Sequence, residues 1–260
     1  MTSESGFKMS PEMQEKLICP RTRSKLLING AFLESATDPS IRYPILDGIP
    51  VLIDDSKSIF SINDFTSKIN TTFDLHEGRV KHILRKFIPG IDANIKAKRN
   101  YATLARELPI NAKILVVGGS IKGSGMDEIY SQPTFEIIGS DVSFGPYTAI
   151  ISDAHDIPFE DEVFDCVIVQ AVLEHVLEPQ RCMAEVYRVM KPSGIVYAET
   201  PFMQQVHMKQ YDFTRFTHLG HRRLFRYFDE IASGPTCGPG MAMAWSYQYF
   251  LRSFASSRTM

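Results

Sequence analysis

The stretch FDCVIVQAVLEHVLEPQRCMAEVYRVMKPSGIVYAETP, residues 164–201, decides the fold of this chain. Its continuous apolar run at residues 166–169 is typical of a parallel strand that is covered on both faces. Beyond Pro179, apolar residues recur at the spacing of one helix face, which predicts an amphipathic helix. Gly194 then predicts a sharp return through a positive φ, and residues 195–199 predict a second buried strand. The stretch therefore predicts one right-handed βαβ unit of a doubly wound sheet.

Three segments precede or surround this unit. Behind a flexible start at residues 1–16, short β-like runs broken by turn dipeptides predict a small β-rich module at residues 17–55. Residues 56–111 are polar and mostly helical in pattern, with short apolar faces at 83–88 and 101–108, and predict a helical linker or cap. From residue 112 to 260 strands and helices alternate, so the chain is predicted to be α/β, with a mostly parallel, Rossmann-like sheet.

Composition limits the functions that the chain can have. Its 260 residues are 44% hydrophobic, carry a formal net charge of −2, and contain neither a membrane-length apolar run nor a signal-type start, which predicts a soluble cytoplasmic protein. The four cysteines are scattered, so neither a disulfide framework nor a metal site is predicted. Basic clusters at residues 79–99 and 215–226 are more typical of solvated faces than of a nucleic-acid footprint.

A glycine-rich loop follows the first strand of the large domain. The strand KILVV runs into GGSIKGSG at Gly118, where glycines let the backbone turn sharply and approach a ligand. Asp141 ends the next strand about twenty positions later, where a carboxylate accepts hydrogen bonds from both hydroxyls of a ribose. After a third strand, Asp153 is a candidate acceptor for an adenine amino group. Asp153 and Asp156 also suit helix or turn capping, and this alternative stays open.

Three more motifs, DAHDIPFEDEVFDCVI, LEHVLEP and RVMKPSG, follow in order. With the glycine loop and Asp141, they resemble the class I methyltransferases that use S-adenosylmethionine, in the group related to small-molecule methyltransferases, over about residues 112–254. The resemblance implies that Gly118, Gly119 and Ser120 lie against the methionine portion of the cofactor. It also implies that Asp141 holds the ribose, and it places Val142 among the cofactor-binding residues.

The same resemblance assigns the far end of the cofactor. It implies that Asp153 and Ala154 meet the adenine, and that Gln170, at the end of the fourth strand, faces the methyl group. His175 is commonly present in this family, but a packed, hydrogen-bonded histidine explains it equally well.

The loop departs from the family pattern at one charged position. The family usually has an acidic residue two positions before the first glycine, where it helps to hold the cofactor's ammonium group, and here that position is Val116. The third small position is Ser120 rather than glycine. A divergent cofactor site is therefore one of the open interpretations.

The loop after the fifth strand, PFMQQVHMKQYDFTRFT, is the candidate acceptor wall. His207, Tyr211 and Asp212 are candidate catalytic residues, with His207 as general base because the pKa of a histidine lies near neutral pH. Arg215 is a candidate substrate-binding residue. In the alternative interpretation, Tyr211 is a packing residue and Asp212 forms a local ion pair with Arg215.

Both ends of the chain depart from related proteins. A complete fold of this type closes with an antiparallel strand beside the last parallel one, but the sequence beyond residue 233 predicts a turn and an apolar helix instead. The start resembles the zinc-ribbon-like subunits that activate tRNA and protein methyltransferases. Those carry paired cysteines, whereas here Cys19 faces Thr22 at the partner position, so no zinc is expected.

Three functions follow from these observations. The leading hypothesis is a methyltransferase that uses S-adenosylmethionine and acts on a small-molecule, glycan or lipid-linked acceptor. The second is methylation of RNA or a translation factor, which the acidic composition and the lack of stacked aromatic motifs disfavour. The third is a non-catalytic binding subunit built on a methyltransferase fold.

Overall fold

The computed structural model describes residues 6–67, 94 and 96–254. The apolar face predicted at residues 83–88, and most of the basic cluster at 79–99, lie outside the described residues. Within them, the strands in chain order are β1 Leu26–Asn29, β2 Phe32–Ser35, β3 Arg42–Leu46, β4 Ile49–Leu52, β5 Lys113–Val117, β6 Glu136–Asp141, β7 Thr148–Ser152, β8 Phe164–Gln170 and β9 Met190–Glu199. The helices are α1 Pro11–Glu15, α2 Ile62–Thr66, α3 Ala97–Glu107, α4 Asp127–Tyr130, α5 Pro179–Val189, α6 His218–Leu224 and α7 Pro239–Ser253.

The described strands form one sheet in the order β1-β2-β3-β4-β7-β6-β5-β8-β9. Strands β4 to β9 run parallel to one another, β1 to β4 pair antiparallel, and β5 lies between β6 and β8. The buried faces of β5, β7 and β8 are almost wholly aliphatic, as parallel strands covered on both sides require. The chain leaves β5 toward β6 on one side and returns to β8 on the other, so the sheet reverses its direction of winding beside β5. This confirms the predicted α/β fold and places a crevice at the carboxyl ends of these strands.

The βαβ unit of residues 164–201 forms as predicted, with one correction. Helix α5 begins at Pro179 and buries Cys182, Met183 and Val186. Gly194, however, does not have the positive φ expected of it. A glycine is needed there because a side-chain carbon would lie 3.0 Å from the carbonyl oxygen of Lys191 and 3.2 Å from that of Asp165. The chain returns through an irregularity within β9, whose pairing with β8 jumps from Met190 to Ile195.

The amino-terminal strands continue the main sheet. Strand β4 pairs in parallel with β7, with Val51 opposite Ile151. The dipeptide Tyr43-Pro44 is one of the turn signals of this segment, but Tyr43 is buried in β3, because this strand pairs with β2 and β4 and the pairing overrides the local proline signal. The module therefore shares the hydrophobic core of the large domain.

The last predicted element is an apolar helix, and the structure has one there. Among the described residues no strand pairs with the outer edge of β9. The chain instead forms the short α6 and then α7, which exposes Met243, Tyr247 and Phe250. Within the described ranges, no helix combines the length and apolarity needed to cross a bilayer.

Candidate functional site

A cavity of about 920 Å³ opens at the carboxyl ends of β5 to β9. Two walls enclose it. The strand wall is formed by residues that follow the strands, and these lining residues are Gly118, Asp141, Val142, Asp153, Ala154 and Gln170. The loop wall comes from residues 200–217 and from α6 and α7, and its lining residues include Phe202, Met203, Met208, Tyr211, Phe216, His221, Met241 and Trp245. The volume lies at the upper end of the range for small-molecule sites, so there is space for two ligands.

The turn after β5 explains the glycines of the loop. Gly118 has φ +73°, and a side-chain carbon there would lie 2.4 Å from Cγ2 of Val172. The amides of Gly118 and Gly119 donate to the carbonyl oxygen of Ser140 at 2.9 and 3.0 Å. Gly118 therefore lines the cavity with bare backbone, while Gly119 and Ser120 lie behind it and join the loop to β6.

Asp141 ends β6 as a buried carboxylate at the cavity. Its Oδ2 accepts a hydrogen bond from the Ser120 amide at 2.9 Å, and the amides of Val142 and Ser143 also reach the carboxylate. Burial raises the pKa of Asp141, and the three amides oppose this shift by favouring the ionised form. The carboxylate is thus fixed in one orientation before any ligand arrives.

Asp153 is held by two side chains rather than by a helix end. Its Oδ1 accepts from the backbone amide and from Nδ1 of His155, while Oδ2 accepts from the hydroxyl of Ser58. Burial alone would raise the pKa of Asp153, but these hydrogen bonds outweigh it and hold the pKa below its usual value. The aspartate caps a local turn and also lines the cavity beside Ala154, so the capping interpretation describes it, and its contact with an adenine stays a prediction.

Gln170 belongs to a polar cluster that sequence analysis did not find. Its Nε2 donates to Oε2 of Glu199 at 2.9 Å and to the carbonyl oxygen of Ser124 at 3.2 Å. Oε2 of Glu199 also accepts from Nδ2 of Asn94 at 2.6 Å. The buried Oε1 of Gln170 has no hydrogen-bond partner and lies 1.9 Å from where a side chain at Gly123 would begin. The members of this cluster all line the cavity, and they are Gln170, Glu199, Asn94 and Gly123.

These groups fit a nucleoside that carries a cationic tail. Fixed carboxylates at Asp141 and Asp153 are acceptors for hydroxyl and amino groups. The unpartnered Oε1 of Gln170 and the carboxylate of Glu199 supply negative potential next to the bare backbone of Gly118. Glu199 thus brings to the cavity the acidic group that is missing at Val116.

On the loop wall, the candidate catalytic residues separate into two groups. Tyr211 lines the cavity and packs against Phe60, with ring centroids 5.3 Å apart. Asp212 instead forms a bidentate ion pair with Arg215, whose guanidinium lowers the pKa of the aspartate well below its usual range. The predicted local ion pair is therefore present, and neither partner is among the residues that line the cavity.

His207 also lies outside the lining, next to His175. Its Nδ1 is 3.1 Å from the carbonyl oxygen of Gln205, and the two imidazole rings meet edge to face at 4.8 Å. His175 does line the cavity, with Nδ1 2.7 Å from the carbonyl oxygen of Tyr211. Behind it, burial raises the pKa of Glu174 to about 7. Glu174, His175 and His207 therefore form one polar cluster.

His221 is the histidine of the loop wall whose free nitrogen is buried. Burial lowers the pKa of His221, and its Nε2 has no hydrogen-bond partner. The ring packs against Phe225 and lines the cavity. A neutral imidazole with an unused lone pair can accept a proton at neutral pH. No sequence motif predicted a role for His221, because it reaches the cavity only through the position of helix α6.

A family model described as a methyltransferase domain matches residues 130–198. The match begins at the end of α4 and covers β6, β7, β8, α5 and β9 up to Ala198. It therefore includes Asp141, Asp153 and Gln170 of the strand wall, but not the glycine turn at Gly118 and not the loop wall.

Two curated relatives each match a short part of the chain. The demethylmenaquinone methyltransferase of Clavibacter sepedonicus is 44% identical over 43 residues, which are 16% of this chain and 18% of that protein. The ubiquinone/menaquinone biosynthesis C-methyltransferase UbiE of a Marinomonas species is 31% identical over 75 residues, or 26% and 30% of the two chains. The chain thus spans less than a third of the length of either relative.

Solved structures with a related fold include the CurJ carbon methyltransferase. It has a TM-score of 0.47 and 15% identity, and the match covers 65% of this chain and 56% of that one. An S-adenosylmethionine-dependent methyltransferase from Thermotoga maritima gives a TM-score of 0.41 and 19% identity, covering 57% and 76%.

Proposed function

The chain carries a class I S-adenosylmethionine-dependent methyltransferase domain, and on that premise we propose that it transfers a methyl group to a small, largely apolar, ring-containing acceptor. One observation carries the proposal: a single cavity has a polar, preorganised strand wall and an apolar, aromatic loop wall. Such a division suits a charged nucleoside cofactor on one side and an apolar molecule on the other.

On the strand wall, we assign the cofactor contacts as follows. Asp141 and Val142 lie at the ribose, Asp153 and Ala154 at the adenine, and Gly118 at the methionine portion, with Gly119 and Ser120 holding the turn from behind. When bound, the cofactor supplies an electrophilic methyl group on a sulfonium. The carboxylate of Glu199, oriented by Gln170 and Asn94, replaces the acid missing at Val116 and faces the ammonium group.

The role of Glu199 can be tested with two ligands. In Glu199→Gln, affinity for S-adenosylhomocysteine should fall about tenfold, as expected for a lost bond to a charged group. Affinity for methylthioadenosine, which lacks the amino-acid portion, should stay the same. If both affinities fall together, Glu199 supports the fold of the wall and does not bind the ammonium group.

On the loop wall, the acceptor has to approach the methyl group in line and lose a proton. The new bond forms as the carbon–sulfur bond breaks, and the leaving proton passes to a base. His221 lines the cavity and its buried Nε2 has no hydrogen-bond partner, whereas the sequence favoured His207, which lies outside the lining next to His175. We therefore assign the base role to His221 and positioning roles to Tyr211 and the Asp212–Arg215 pair.

The two relatives suggest which acceptors to try first. One relative is named for demethylmenaquinone and the other for ubiquinone and menaquinone biosynthesis, so the first acceptor is reduced demethylmenaquinone with a short side chain. Transfer of a labelled methyl group to it, or to simple phenols, would support the proposal. Labelling of bulk RNA or protein without labelling of any ring acceptor would favour the macromolecular alternative.

The two histidines provide the matched comparison within that assay. His221→Gln should lower kcat by at least about a hundredfold, the usual size of general-base effects. His207→Gln should leave kcat within a few-fold. The reverse pattern would restore His207 as the base.

A further inference from the structure

Glu174 is a buried carboxylate with no hydrogen-bond partner. Its side chain is fully inaccessible to solvent, and both Oε1 and Oε2 lack partners. The nearest guanidinium, that of Arg215, is committed to both oxygens of Asp212. Burying an ionised carboxylate without a partner is costly, so a cation or a proton has to compensate it.

The nearest groups to this carboxylate are suited to a cation. Nε2 of His175 lies 3.7 Å from Oε1 of Glu174, which is too long for a hydrogen bond. Because the carbonyl oxygen of Tyr211 only accepts, Nδ1 of His175 carries the proton, and the neutral ring presents an Nε2 lone pair. An oxygen without a partner therefore lies close to a nitrogen lone pair, an arrangement that a positive ion between them would stabilise.

His207 supplies the third candidate ligand atom for such an ion. Its Nδ1 lies 3.1 Å from the carbonyl oxygen of Gln205, 3.4 Å from Oδ2 of Asp212 and 3.5 Å from Nη2 of Arg215. In the tautomer that donates from Nδ1 to these acceptor oxygens, Nε2 keeps a lone pair. One ligand atom from each of Glu174, His175 and His207 lies within 4.8 Å of the others. In a zinc site with bonds of about 2.0–2.2 Å, ligand atoms are roughly 3.3 Å apart, so the most distant pair needs to approach by up to about 1.5 Å.

We propose that Glu174, His175 and His207 bind a divalent transition-metal ion of the zinc type. Two imidazoles and one carboxylate are a common donor set for such ions, and the backbone carbonyls that fix both rings are the usual outer partners of metal-binding histidines. The ion would tie the loop after β9 to the segment after β8, because His207 is on the former and Glu174 on the latter. This site is additional to methyl transfer and does not depend on it.

Metal binding is measured directly, without turnover. The untagged full chain is stripped with a chelator and titrated with Zn²⁺ by calorimetry. It carries Cys237→Ser, which removes the one partly exposed thiol among the described cysteines. Co²⁺ is titrated in parallel, with its visible absorption as the signal. We expect one equivalent of each ion to bind and the cobalt spectrum to show nitrogen and oxygen ligands.

Four variants decide the assignment. Glu174→Gln and His207→Ala should each weaken Zn²⁺ binding by about tenfold or more, a loss at least as large as outer-shell changes cause. His218→Ala, at another cavity-lining histidine, and Asp54→Asn, at another buried carboxylate, should bind as the parent does. His207 is exposed, so its variant folds even where Glu174→Gln is destabilised. No binding by the parent, or equal binding by both ligand variants, would overturn the proposal.

Discussion

The two walls of the cavity are held in different ways. On the strand wall, Asp141 and Asp153 are buried and each accepts several hydrogen bonds from the protein. On the loop wall, the lining is mainly apolar, and the same elements expose large apolar residues such as Met203 and Phe250. Preorganised polar groups suit a ligand of fixed structure, while an apolar wall selects by shape and burial. This difference supports the proposal that the cofactor binds to the strand wall and that the loop wall selects the acceptor.

The largest expected effect comes from filling the strand wall at its turn. In Gly118→Val, the positive φ costs about 1–2 kcal/mol and the new side chain collides with Val172, so we expect loss of detectable S-adenosylmethionine binding. Gly30→Val is the matched control, because Gly30 also has positive φ but nothing within 4 Å. Calorimetry on both variants makes the measurement. If Gly118→Val still binds S-adenosylmethionine, the turn at Gly118 does not contact the cofactor.

A second substitution compares one carboxylate from each wall. Asp141→Asn should weaken S-adenosylmethionine binding between about tenfold and about a hundredfold, because it removes a charged acceptor. Asp212→Asn should leave cofactor affinity unchanged and alter the acceptor's KM, since Asp212 pairs with Arg215. Equal losses in both variants would mean that the walls do not act separately.

Glu174 lies where the walls meet, since its carbonyl oxygen accepts from the amides of Phe213 and Thr214. Burial raises its pKa to about 7, above the unfolded value of 4.5, so the folded chain keeps a proton that the unfolded chain loses. Without metal, stability should therefore fall as pH rises from 4.5 through 7, by up to about 3 kcal/mol.

Glu174→Gln lacks this titration and serves as the comparison. In thermal unfolding with chelator present, the stability of Glu174→Gln relative to the parent should increase as pH rises from 5 to 8. A constant difference between the two proteins would show that Glu174 titrates normally.

The smallest effect is expected on the loop wall. Trp245→Ala should raise the acceptor's KM about tenfold, which corresponds to the loss of one well-buried apolar contact, and should leave S-adenosylmethionine affinity unchanged. Tyr247→Ala, on the exposed side of the same helix, is the control. Steady-state kinetics compares the acceptor's KM in the two variants. A change in cofactor affinity in Trp245→Ala would contradict the separation of cofactor binding and acceptor binding between the two walls.

The sequence predicted the strand wall well because its signals are local. Apolar runs mark β5 and β8, and the residue that follows each strand is then known to lie at one edge of the sheet. The partners that fix these residues were missed, since Ser58 reaches Asp153 across 95 positions and Gln170 reaches Glu199 across 29. No periodicity encodes such contacts.

The loop wall was harder to predict for the same reason. Tyr211 was correctly placed beside the candidate acceptor site, but His221 and Trp245 reach the cavity only through the packing of short helices. Gly194 shows the converse error: the sequence indicated a glycine-dependent turn, but close backbone approach rather than positive φ is what requires the glycine.

The central claim is that the strand wall binds S-adenosylmethionine. Calorimetric titration of the purified chain with S-adenosylmethionine and with S-adenosylhomocysteine tests it directly. We predict saturable binding of one equivalent of each, weakened in Asp141→Asn. A folded chain that gives no heat with either ligand at high micromolar concentration would contradict the account and favour a non-catalytic binding subunit.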